Sequence, residues 1–202
     1  MFRPNVRNLL QHNLDVLKEA KTVKGMAALL TAEFARFRVA ELRRRSRTKE
    51  VIPLRYRLHW SGDFFSTTYA KAVRLAIEQS PDIEFWTLTR VLPAVQYLRG
   101  LKNLILYLSV DPVNIKEMLV YYDSKKGYRD NNLRLAYMSK INDFREAAWD
   151  AVPAPSSDRW KWLADAEVRN CPVDSGTTPI DGGCYKCGRC TRNKKTIVWF
   201  EA

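Results

Sequence analysis

The order of apolar and polar positions predicts two helices, then alternating strands and helices, then an irregular C-terminal part. Residues 5–20 repeat apolar side chains at helical spacing, and residues 26–47 resume this pattern after Gly25. An amphipathic helix buries the stripe on which its apolar residues recur. For the second helix, this buried stripe is predicted to consist of Leu29, Leu30, Phe34, Phe37 and Ala40, with Leu42 near its edge.

After Pro53 the period of the apolar pattern changes from that of helices to that of strands. Alternation over residues 54–60 predicts a strand, and Ser66 is placed to cap a helix over residues 67–79. Strand and helix then alternate, which is typical of right-handed βαβ units and a parallel sheet. The further predictions are strands at 83–89, 103–110, 119–123, 133–138 and 196–200, helices at 92–101 and 143–151, and one helical turn at 113–118.

We therefore expect an α/β fold with a parallel sheet, two N-terminal helices and a C-terminal cysteine-rich metal loop. Residues 1–50 form a basic helical segment and residues 51–152 the α/β core. Residues 153–202 hold a linker rich in proline and serine, the cysteine segment and a final strand.

The charge is concentrated at the N-terminal end of the chain. The protein has 202 residues, and its 34 lysines and arginines against 22 acidic residues give a formal net charge of +12. Residues 1–60 alone hold 14 basic and 5 acidic residues. This asymmetry indicates contact with nucleic acid or with an acidic protein surface, although a well-solvated basic helix would show the same pattern. The residues predicted to contact phosphate are Arg43, Arg44, Arg45, Arg47 and Lys49.

Membrane insertion and secretion are not expected. The chain contains no run of roughly eighteen apolar residues, which a transmembrane helix needs. Its first residues lack the apolar region of a secretory signal. The expected location is the cytoplasm.

Four cysteines lie within the last 32 residues, at Cys171, Cys184, Cys187 and Cys190. A disulfide framework would spread them along the chain, so this spacing indicates a metal site. Three cysteines at Cys-x2-Cys-x2-Cys spacing with one remote Cys-Pro resemble ferredoxin-like ligation of a [4Fe–4S] cluster. Zinc is the alternative, although zinc sites usually pair two separate Cys-x2-Cys knuckles.

Hydroxyl and carboxylate side chains recur where the predicted strands end. In a parallel sheet these carboxyl ends are where functional groups gather. Each such residue taken alone fits a turn or a helix cap equally well. His59, which follows the first strand, is predicted to pack or to cap rather than to catalyse. The candidate catalytic residues are Asp63, Thr89, Arg90 and Asp111.

Residues 58–66, 85–90 and 106–111, together with the C-terminal cysteine segment, resemble the phage gene product 88 family. The likeness covers the chain from about residue 50 onward, and its most specific block is Ser-Gly-Asp-Phe-Phe. That family in turn resembles radical S-adenosylmethionine enzymes, which implies a partial (β/α) barrel. Such enzymes hold the amino group of the cofactor at a Gly-Gly-Glu-like turn, and the resemblance assigns that place to Ser61, Gly62 and Asp63.

These enzymes also carry a Cys-x3-Cys-x2-Cys loop after their first strand, whereas no cysteine precedes Cys171 here. A cluster held by four cysteines would be fully ligated, and would serve structure or electron transfer rather than cofactor cleavage. We therefore expect a phage or mobile-element iron–sulfur protein, either redox-active or a degenerate enzyme. The alternative is a basic nucleic-acid-binding or host-interaction protein with a structural iron–sulfur or zinc site.

Overall fold

The computed structural model describes residues 4–49, 53–59, 62–127, 132–139, 143–152, 160–164, 166–171 and 196–201. Within these ranges lie seven helices and six strands, in the α/β order that the sequence predicts. The helices are α1 (Pro4–Glu19), α2 (Val23–Thr48), α3 (Thr67–Glu78), α4 (Leu92–Leu98), α5 (Ile115–Ser124), α6 (Phe144–Ala151) and α7 (Lys161–Ala164). The strands are β1 (Leu54–Arg57), β2 (Ile83–Thr89), β3 (Leu104–Val110), β4 (Leu133–Ser139), β5 (Glu167–Asn170) and β6 (Thr196–Glu201).

The described strands form one sheet in the order β1-β2-β3-β4-β6-β5, and every neighbouring pair is parallel. The prediction of a parallel α/β sheet is therefore confirmed. The first four strands lie side by side in chain order, so each connection steps in the same direction across the sheet. β6 then lies between β4 and β5, and the step from β5 to β6 runs in the reverse direction.

One face of the sheet carries the main hydrophobic core. Alternate strand residues such as Phe85, Leu106 and Leu135 join this core with buried residues of helices α2 to α6. The other strand positions, among them Tyr107 and Ala136, belong to a separate cluster that contains no helical residue of the described chain. We call the side formed by this second set the helix-free face.

Local sequence explains where the helices begin and end. Ser66 accepts a hydrogen bond from the Tyr69 N–H and caps α3 as predicted, and Thr22 caps α2 in the same way through Gly25. None of the described helices combines the length and the apolar character that are needed to cross a lipid bilayer.

The sequence prediction is wrong for the segment after β3. Residues 119–123 were expected to form a strand, because aromatic and β-branched side chains favour strands. They belong instead to α5, whose buried residues Ile115, Met118, Leu119 and Tyr122 recur at helical spacing. Asp123 therefore ends a helix and not a strand.

The predicted buried face of α2 is also partly wrong. Phe34 is buried and Leu30 and Phe37 pack against the core, but Leu29 and Ala40 are exposed, and so is Leu42. Apolar residues lie on both sides of this helix, so their spacing alone did not show which side is covered. The short elements β5 and α7 were not predicted.

Candidate functional site

A clasp made by one carboxylate holds the loop after β1 against the carboxyl end of β2. Asp63 Oδ1 accepts hydrogen bonds from Thr89 Oγ1 at 2.5 Å and from the Phe64 N–H at 2.7 Å. Asp63 Oδ2 accepts from the backbone N–H of Arg90 at 2.7 Å. Gly62, with φ of +77°, supplies the left-handed turn just before the aspartate. We call this arrangement the Asp63 clasp.

The side chain of Arg90 links the clasp to the end of β3. Its Nη2 atom lies 2.8 Å from Asp111 Oδ2, and its Nε donates to Ser109 Oγ at 3.4 Å. Asp111 Oδ1 in turn accepts from the backbone N–H groups of Val113 and Asn114. The Arg90 side chain keeps 54% of its surface exposed while its position is held by these contacts. Such a guanidinium can bind an anionic group with its remaining donors.

The structure thus brings together the four residues that the sequence singled out as catalytic candidates, at the ends of β1, β2 and β3. Their catalytic role stays a prediction. Asp63 already receives three protein donors, which is the environment of a structural clasp rather than of a carboxylate open to a ligand. Gly62 belongs to the same loop, and Ser61 lies outside the described residues.

His59 lies beside the clasp and bridges two buried hydroxyl groups. Its Nδ1 atom is 3.1 Å from Thr87 Oγ1, and its Nε2 atom is 3.1 Å from the Tyr69 hydroxyl. Burial lowers the pKa of His59 from 6.5 to about 4, although Asp63 opposes this shift. Burial likewise raises the pKa of Tyr69 above its usual value. His59 is therefore neutral at physiological pH and packs in a polar core, which agrees with the packing role predicted for it.

The pKa of His59 predicts a specific loss of stability in mild acid. Because the unfolded chain binds this proton near pH 6.5 and the folded chain only near pH 4, the free energy of unfolding falls as pH drops through that window. Between pH 7 and pH 5 we expect a loss of about 2 kcal/mol from this one residue. Urea unfolding of the wild type and of His59→Gln measures it, with His12→Gln on exposed α1 as control. Equal pH slopes for the wild type and His59→Gln would contradict the assignment.

The helix-free face holds a second group of charged and aromatic side chains, which sequence reasoning missed. The Arg55 side chain is only 2% exposed, and its Nε lies 2.9 Å from Glu84 Oε2. The Arg57 guanidinium stacks 4.7 Å from the centre of the Trp86 ring. Arg134 is also buried, next to Tyr107 in the register of β3 and β4. Arginines at alternate positions of β1 were a signal available in the sequence, because apolar residues occupy the positions between them.

Of the four cysteines predicted to bind a metal, only Cys171 is among the residues that the structure describes. Cys171 directly follows β5 and is buried at the helix-free face, where it packs with Tyr107, Ala136 and Val198. Cys184, Cys187 and Cys190 lie outside the described residues. Among the residues that are described, no three histidine, cysteine or acidic side chains lie close enough to hold a metal ion.

The basic run of α2 follows a part of the helix that lies at the amino ends of the strands, whereas the Asp63 clasp lies at their carboxyl ends. Arg38 forms two short contacts with Asp82 in the turn before β2, at 2.7 and 2.6 Å, which places this part of α2 at the amino ends of the strands. The strands separate the two regions by roughly 20 Å. Within the run, Arg44 pairs with Glu41, whereas Arg43, Arg47 and Lys49 are exposed. Binding of nucleic acid by this run stays a prediction.

Comparisons with known proteins give a consistent result. A family model described as Gene product 88 matches residues 2–195. The Gene 88 protein of Mycobacterium phage L5 is 31% identical over 202 residues, covering 98% of this chain and 72% of the relative. The Gene 88 protein of Mycobacterium phage D29 is 28% identical with the same coverage. No solved structure matches this chain.

Proposed function

Because this chain belongs to the Gene product 88 family, whose relatives above are phage proteins, we propose that it is a phage iron–sulfur protein. The ligands of its [4Fe–4S] cluster are Cys171, Cys184, Cys187 and Cys190. The observation that carries the proposal is the position of Cys171, whose side chain is buried against the helix-free face immediately after β5. The three other cysteines follow in the connection from β5 to β6.

The topology of the sheet supports this placement. β5 and β6 are parallel neighbours, so the chain must cross from the carboxyl end of one strand to the amino end of the other. The step from β5 to β6 runs across the sheet in the direction opposite to the steps from β1 to β4. Since parallel strands are joined by right-handed crossovers, a connection that steps in the reverse direction is expected on the face opposite to the helices. The crossover rule and the burial of Cys171 therefore point to the same face.

The residues of that face suit a thiolate-held cluster. A cluster ligated by four thiolates carries negative charge, and the helix-free face carries the cationic side chain of Arg134 on β4, beside Tyr107. Arg55 and Arg57 lie on the same face but on β1, at the other edge of the sheet from β5. Tyr107 belongs to the same buried cluster as Cys171. Four thiolates leave no iron open for a substrate, so we propose electron transfer or a structural role for the cluster.

We further propose that β1 to β4 curve as a partial (β/α) barrel with the helix-free face inside. Consecutive strand order and helices on one face are the arrangement of a (β/α) barrel wall. In this arrangement the Asp63 clasp and Arg90 would lie at the mouth of the barrel. S-adenosylmethionine is the cofactor that the family resemblance adds to this proposal.

Anaerobic purification with iron, sulfide and zinc assays tests the cluster. We expect about four irons and four sulfides per chain and a broad absorption band near roughly 400 nm. Cys187→Ser should lose most of the iron, while Ser124→Ala, at the exposed end of α5 and on the other face of the sheet from Cys171, should retain it. One zinc per chain without colour would replace the cluster by a structural zinc site, and metal-free folded protein would refute both. Calorimetric titration with S-adenosylmethionine is a separate test, and absence of heat refutes that cofactor alone.

A further inference from the structure

The outer side of α2 is an apolar stripe that no other described part of the chain covers. Leu29, Val39 and Leu42 are 39%, 47% and 51% exposed, although the same helix buries Phe34 on its inner side. Between and beside them, at spacings of three and four residues, lie further exposed small residues. The positions of the stripe are Ala28, Ala32, Ala35, Val39, Leu42 and Ser46, with Leu29 at its edge.

This spacing is that of a seam between two helices. Apolar residues that alternate at intervals of three and four face a partner helix in a coiled coil. From residue 28 to residue 46 the stripe is about 27 Å long, since an α-helix rises about 1.5 Å per residue. Of the seven large apolar side chains exposed among the described residues, three lie on this one helix.

The charges beside the stripe define the chemistry of the partner. The positions that flank a helix seam carry Arg36, Arg38, Arg43 and Arg45 here, and no acidic residue. Arg47 directly follows Ser46, the last position of the stripe. Arg36 pairs with Glu33 and Arg38 with Asp82, whereas no acidic side chain of the described chain pairs with Arg43 or Arg47. A second copy of α2 would therefore place arginine against arginine, which is unfavourable.

We propose that this surface binds an acidic amphipathic helix of another protein. The apolar residues of such a helix would pack on the stripe, and its glutamates or aspartates would pair with Arg43 and Arg47. Nucleic acid would use the arginines but would leave the exposed valine and leucines without a role. The proposal is independent of the iron–sulfur cluster, because α2 packs on the other face of the sheet from Cys171.

A synthetic helix provides the test. The probe is a peptide of about four heptads with leucine at the seam positions and glutamate beside them, whose like charges suppress its own pairing. We expect it to bind the full chain with a Kd of about 10 µM. The double variants Val39→Ser with Leu42→Ser, and Arg43→Glu with Arg47→Glu, should each weaken binding at least about tenfold. The control, Val113→Ser just before α5 with Lys116→Glu in its first turn, changes two exposed residues and should bind like the wild type.

Each other outcome overturns the proposal. Equal binding of a scrambled peptide of the same composition would show general charge attraction. Tighter binding of duplex DNA or single-stranded RNA, weakened only by the arginine variant, would show a nucleic-acid surface. A dimer in sedimentation equilibrium that the Val39 and Leu42 variant dissociates would show self-association. Absence of peptide binding to the wild type would refute the docking site altogether.

Discussion

Replacing Phe34 by alanine is expected to lower the free energy of unfolding by about 4 kcal/mol. Phe34 is 1% exposed, and its ring centre lies 5.1 Å from that of Tyr56 and 4.7 Å from that of Phe85. Removing a buried aromatic ring costs the hydrophobic free energy of its burial and leaves a cavity between the remaining rings. Urea unfolding followed by tryptophan fluorescence measures the change.

Leu42→Ala is the matched control for this prediction. It lies on the same helix, but its side chain is 51% exposed, so we expect a change below about 0.5 kcal/mol. The comparison also tests whether the N-terminal helices share the core of the sheet, as the packing of Phe34 indicates. A loss below about 1 kcal/mol for Phe34→Ala would mean that α2 folds as a separate unit.

The alternating elements were predictable because their local and long-range preferences agree. β2 was predicted at residues 83–89 and is found there, because its apolar run is too short for a helix and is bounded by turn residues. α3 was located by its cap at Ser66 and by apolar residues at helical spacing. In both cases the residues that favour the element locally are those that the core buries.

Prediction failed where the apolar pattern fitted more than one arrangement, and where contacts with distant parts of the chain determined the type or the orientation of an element. Leu119 to Tyr122 favour a strand locally, but burial against the core selects a helix. α2 has apolar residues on both sides, so its orientation depends on the aromatic rings of β1 and β2, which are distant in sequence. β5 has only four residues and little apolar content, and its pairing with β6 supplies what its own sequence lacks.

The sequence predicted where the candidate site lies, but not which of its groups are hydrogen-bonded to each other. Strand ends in a parallel sheet meet at one edge, so Thr89, Arg90 and Asp111 could be grouped before their contacts were known. The sequence could not show that Asp63 binds backbone N–H groups, because any turn aspartate has that capacity. It also could not identify Arg134 as buried, since arginines are usually exposed.

Asp63→Ala is expected to lower the free energy of unfolding by about 3 kcal/mol. The substitution leaves the hydroxyl of Thr89 and the N–H groups of Phe64 and Arg90 without their acceptor. A buried donor that loses its partner costs about 1–3 kcal/mol. Because this loop is partly exposed, we expect each of the three donors to cost about 1 kcal/mol, the lower end of that range. Chemical unfolding at pH 7 measures the loss, and Asp150→Ala on the exposed side of α6 serves as the control.

Asp63→Asn separates the geometry of the clasp from its charge. Its carbonyl oxygen can still accept from Thr89 and Phe64, but its amide group then faces the N–H of Arg90 as donor against donor. We therefore expect a loss between that of the alanine variant and zero. Because the clasp adjoins β1 and β2, whereas Cys171 follows β5 at the other edge of the sheet, the iron content per folded chain should stay unchanged in both variants. If Asp63→Ala leaves stability unchanged and instead abolishes binding of S-adenosylmethionine, Asp63 is a ligand-binding carboxylate and not a structural one.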